Sequence, residues 1–120
     1  MIVREKSNLL VVYLEQGEEL EAQIQNIIRE YKLIDAKISG YGYLGRMEYG
    51  VLSQSDPFFL AKILKEGLLT VTDINGMIDN REPSIMISSV DDKFERHQGR
   101  LISGNVVNSF NIILEIYKTE

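Results

Sequence analysis

The sequence predicts one α+β domain spanning residues 1–120, a largely antiparallel β-sheet flanked by one or two helices. Three observations point there: short apolar runs rich in β-branched and aromatic residues, one well-formed amphipathic helical stripe, and turn-forming residues between the runs. A chain of 120 residues with 44% hydrophobic content has enough apolar side chains for one core. With 26% charged residues and no low-complexity tract, nothing in the composition favours disorder.

Asn8 to Leu14, NLLVVYL, is too short and too β-branched for a helix and reads as a strand. Gly17-Glu18-Glu19 then opens a segment where Leu20, Ile24, Ile27, Ile28 and Tyr31 recur at helical spacing. Glu18, Glu19 and Glu21 stand near its start and Arg29 and Lys32 near its end, the polarity that the helix dipole favours. Asp35 to Ser39 and Arg46 to Leu52 predict two extended segments joined through the glycine-rich stretch Gly40-Tyr41-Gly42-Tyr43-Leu44-Gly45. That stretch matches a GxGxxG pattern. A dinucleotide site needs a helix after the last glycine, however, and RMEYGVL alternates like a strand, so the glycines are read as a turn or bulge requirement.

Ser53 to Pro57 is turn chemistry. Phe58 to Lys65 is ambiguous, because Asp56-Pro57 also resembles a helix cap followed by a first-turn proline. After Gly67, Leu68 to Ile74 is β-rich and ends at Asn75-Gly76, a strong hairpin signal that predicts a return strand at Met77-Ile78. Asp79 to Pro83 reads as loop and Ser84 to Val90 as strand. Asp91-Asp92-Lys93 is a solvated turn before Phe94 to Gln98, and Ser109 to Lys118 is the closing strand.

Several functions are disfavoured by composition. There is no cysteine, which removes disulfides, thiolate ligation and thiol catalysis. A net charge of −5 repels phosphate, and the basic clusters Arg29 with Lys32 and Arg96 to Arg100 are small, so nucleic acid is an unfavoured partner. No apolar run is long enough to span a membrane and Met1 to Ser7 is charged, so a cytoplasmic location is expected. No marked nucleophile and base, carboxylate pair or metal cluster is present, so no catalytic residues are assigned and the protein is expected not to be an enzyme.

Three collinear stretches resemble the plant-and-prokaryote-conserved (PPC) domain. They are Leu14-Glu15-Gln16-Gly17-Glu18-Glu19-Leu20; Ile38-Ser39-Gly40-Tyr41-Gly42-Tyr43-Leu44 with Gly50 beyond; and Glu66-Gly67-Leu68-Leu69 running to Asn75-Gly76, Pro83 and Gly99-Arg100-Leu101-Ile102-Ser103-Gly104. The resemblance covers about Leu9 to Tyr117. It implies a homotrimer, and it implies that Phe58 to Lys65 is extended, against the local helix signal. Family members commonly carry a His-x-His pair and a third histidine that together resemble a divalent-metal site. At those positions this chain has Ser84, Met86 and Arg100, so no metal and no other cofactor is expected. The only histidine, His97, is expected at the surface.

The function so implied is a non-enzymatic, oligomeric binding or interaction module whose partners are copies of itself, another protein or a small anion. For the anion, Arg100 with Ser84, the Gly40 and Gly42 backbone and His97 would form the site. The competing expectation is DNA binding, as in the family's plant relatives, although neither an Arg-Gly-Arg-Pro hook nor a helix-turn-helix is present.

Overall fold

A computed structural model describes residues 1–120. It contains β1 (Ile2–Lys6), β2 (Leu9–Glu15), α1 (Leu20–Glu30), β3 (Leu33–Ser55), β4 (Phe58–Asp79), β5 (Glu82–Asp91) and β6 (Arg96–Thr119). All strand pairings are antiparallel, in the order β1-β2-β6-β3-β4-β5. β5 also pairs with β6 through Met86–Val90 and Arg96–Arg100, so β3, β4, β5 and β6 form a closed ring of ladders. Closure removes the free edges that an open sheet would leave there. No helix is long and apolar enough to cross a membrane.

α1 forms where the 3.6-residue stripe predicts it. Leu20, Ile24, Ile27 and Ile28 are buried, and Tyr31, at the C-cap, is partly buried against the same core. The Glu19 side chain caps the helix by accepting from the Ala22 N–H at 2.5 Å, and its other oxygen accepts from the Gly104 N–H at 2.8 Å. One carboxylate thus fixes the helix start to β6. Each buried side chain of the stripe contributes about 1.5–3 kcal/mol. The core joins this stripe to Leu10, Val12 and Leu14 of β2, Ile38 and Leu44 of β3, Ile74 and Ile78 of β4, Ile85 and Ile87 of β5, and Phe110, Ile112 and Leu114 of β6.

Two expected interruptions are absent. The glycine-rich stretch does not join two segments but lies inside β3, an unbroken strand of 23 residues whose register shifts between Gly40 and Gly42 and between Leu44 and Arg46. A methyl group on Gly42 would stand 2.5 Å from the Cα of Phe110, so the residue is small because β6 passes close behind it. Likewise Asn75-Gly76 makes no hairpin and no separate Met77-Ile78 strand begins. Both lie within β4, and a Cβ on Gly76 would meet the Cα of Ile85 at 2.8 Å. The chain reverses later, at Asn80-Arg81, where both residues have positive φ (48° and 72°), the requirement of a tight two-residue hairpin.

Phe58–Lys65 is extended. It pairs with Met47–Ser55 of β3 to form a two-stranded arm turning at Asp56-Pro57. Local helix preference is overruled there by cross-strand pairing. Phe94 to Gln98 and Ser109 to Lys118, read as separate pieces, belong from Arg96 onward to one strand of 24 residues, Arg96–Thr119.

Candidate functional site

Ser84, Met86 and Arg100 lie on the outer side of the ring. Ser84 and Met86 are exposed at alternate positions of β5, and Met86 is the direct cross-strand partner of Arg100 on β6. A hydroxyl, a thioether and a guanidinium do not form a donor set for a dication, and Arg100 brings a fixed positive charge to the place. Arg100 also acts on Glu21 of α1. Burial pushes the Glu21 carboxyl above its usual range, while a hydrogen bond from Gln25 and the charge of Arg100 pull the other way.

Gly40 and Gly42 do not join this group. One way round the ring the row runs Ser39, Asn75, Met86, Arg100, with β4 and β5 between, and the other way Arg100 pairs with Gly50, well along β3 from Gly40 and Gly42. Both glycines are buried in a strand paired on each side, Gly40 with Ile74 and Ile112, Gly42 with Val71 and Phe110, and their backbone is committed to those ladders. The anion cradle expected from them with Arg100 does not assemble.

His97 is not a solvated surface residue either: its side chain is only 16% exposed and sits in a polar relay. Its Nε2 lies 2.8 Å from Asp91 Oδ2 and its Nδ1 3.3 Å from the Tyr49 hydroxyl. Asp91 Oδ1 accepts from the N–H groups of Lys93 and Glu95 at 2.8 and 3.0 Å, and Lys65 Nζ stands 3.6 Å from Oδ2. The hydrogen bond from His97 is the largest cause holding the Asp91 carboxyl well below the usual range. The Glu95 and Lys93 amides and the Lys65 charge add to it, against the opposing effect of burial. Donors from β4, from the turn after β5 and from β6 therefore converge on one carboxylate where the ring closes, with Tyr49 of β3 behind His97.

Asp91 was expected in a solvated turn, but its side chain is 1% exposed. The signal that reveals it is parity: Ile85, Ile87 and Ser89 are buried at alternate positions of β5, and Asp91 continues the series. Potential ligand atoms of Asp91, Glu95 and His97 lie within 4.8 Å of one another, but those of Asp91 and His97 are already hydrogen-bonded partners. Tyr49 is buried, and the relay ties β3, β4 and β6 together where the ring closes.

The remaining distinctive surface is the arm formed by Gly50–Ser55 and Phe58–Leu68. Val51, Leu52, Phe58, Phe59, Ile63, Leu64 and Leu68 are all exposed there, Phe58 at 65%. β3 pairs with β6 no further than Gly50, and β4 pairs with β5 only from Leu69 onward. Both outer edges of this apolar ribbon are therefore unpaired.

With this geometry in view, comparison with solved structures is decisive for the fold. A Bacteroides thetaiotaomicron protein for which DNA binding has been suggested superposes with a TM-score of 0.90 at 13% identity, over 99% of this chain and 85% of that one. A PPC protein of Pyrococcus horikoshii superposes with a TM-score of 0.80 at 19% identity, over 99% and 83%. The chain has the PPC fold. A metal-containing protein of Archaeoglobus fulgidus shares it as well, with a TM-score of 0.81, 18% identity, and coverage of 99% and 87%. No protein-family model and no curated protein sequence matches the chain. Identities this low establish the PPC architecture and leave function to the residues of this chain.

Proposed function

We propose that this chain is a non-enzymatic, self-associating interaction module on the PPC fold, a homotrimer that works without the histidine metal site of its relatives. The apolar arm carries this reading. An exposed ribbon bearing Phe58, Phe59, Ile63 and Leu64 with two unpaired edges is an aggregation hazard unless another chain covers it, and monomeric proteins rarely leave such a patch open. A second copy supplies the same apolar surface and the same free edges, so association through the arm satisfies both.

Light scattering on the purified protein tests the reading. Wild type is expected at three times the chain mass and the double variant Phe58→Asp, Leu64→Asp at the chain mass with its fold retained. A wild-type monomer, or a variant that stays associated, would overturn it.

DNA binding is the second reading, favoured by the role suggested for the Bacteroides thetaiotaomicron neighbour and opposed by the net charge of −5. A gel shift at low salt separates the two. No retardation is expected, and salt-sensitive retardation would favour the DNA reading.

A further inference from the structure

A polar cleft of about 300 Å³ opens on the outer face, between β4, the β5 strand and the start of β6. Its position follows from a β-bulge. The register of β4 against β5 shifts between Val71 and Asp73, so Thr72 and Asp73 are both exposed where strict alternation would have buried one of them. The walls are fixed by hydrogen bonds. The Thr72 hydroxyl donates to the Ser88 carbonyl at 3.3 Å, the Ser88 hydroxyl to Gln98 Oε1 at 3.3 Å, and the Ser89 hydroxyl to the His97 carbonyl at 2.7 Å. Two side chains in the lining lack such partners. Asp73 and Arg96 form no ion pair with each other or with any neighbour, unlike Arg81, which pairs with Glu120.

We propose that this cleft binds the zwitterionic head of a small free α-amino acid, with Asp73 taking the ammonium and Arg96 the carboxylate. A carboxylate and a guanidinium that share one concavity without joining match a ligand carrying both complementary charges. A simple anion would satisfy Arg96 but confront Asp73 and the net charge of −5. A simple cation would leave Arg96 unpaired. A zwitterion meets both groups and is not repelled by the overall field. Val90 is the single apolar residue of the lining, so the side chain accepted is short or polar. The Ser88 and Gln98 groups at the wall are in place to bond a hydroxyl or amide on it.

The test is titration of the isotope-labelled full chain with glycine, L-alanine and L-serine, followed by amide chemical shifts. Saturable shifts at Thr72, Ser88 and Gln98 are expected for at least L-serine, with Kd on the order of 1 mM for so small and open a contact. N-acetyl-L-serine and L-serinamide, each lacking one charge, should bind about tenfold more weakly, as should L-serine to Asp73→Asn and to Arg96→Gln. Equal shifts with the two blocked analogues would overturn the assignment, as would no shift with any of the three amino acids. The analogue comparison uses wild-type protein, so it decides the matter even if a variant misfolds.

Discussion

Asp91 concentrates more structure on one side chain than any other residue of the chain. Its carboxyl is held below the usual range by His97 first and then by the Glu95 and Lys93 amides and Lys65. A carboxylate with a folded-state pKa below its unfolded value of about 3.9 adds stability that is fully present above that value and is lost as pH falls from there through the lower folded-state pKa. Asp91→Asn is therefore expected to lower the melting temperature near neutrality and to flatten the loss of stability between about pH 5 and pH 2. Thermal melts at stepped pH read both effects, and parallel acid limbs for wild type and variant would contradict the account. At Tyr49 the expectation is milder: Tyr49→Phe removes only the hydroxyl at 3.3 Å from His97 and should cost about 0.5–1.5 kcal/mol by chemical denaturation. The relay was invisible to motif reading because its members are far apart in sequence, and only the inward parity of Asp91 after Ile85, Ile87 and Ser89 announced it.

Among the elements, the helix was legible and the strand lengths were not. Leu20, Ile24, Ile27 and Ile28 encode α1 through one stripe, and Ile24→Ala or Ile27→Ala should cost about 2–5 kcal/mol in denaturant unfolding because both sites are fully enclosed. β3, β4 and β6 run for 22 to 24 residues, well beyond the usual 5 or 6, and they cross glycines and an Asn-Gly pair that ordinarily signal reversal. Local rules fail there because glycine serves two needs, positive φ and close approach of another backbone, and sequence alone does not say which applies. At Gly42 the need is close approach. Gly42→Ala should therefore destabilise by about 1–3 kcal/mol or more, since Phe110 backbone cannot yield as a side chain would. Little or no loss in the same unfolding assay would show that β6 can move away. The Phe58–Lys65 segment illustrates the converse: its extended form follows from pairing across the arm, information that resides in Met47–Ser55 and not in the segment itself.

At the scale of the molecule, ring closure through β5 and β6 leaves the arm as the one long ribbon with free edges. The PPC architecture was legible from the collinear glycine-bearing stretches. The exposure of the arm was not, because nothing in the residue types of Val51, Leu52, Phe58, Phe59, Ile63 and Leu64 says whether they are covered, and only the fold reveals that nothing within the chain covers them. Sedimentation equilibrium of the wild-type protein over a dilution series tests association through the arm most directly. A single species of three chain masses that persists to low concentration is the expected result, whereas a stable, soluble species of one chain mass throughout would contradict the account.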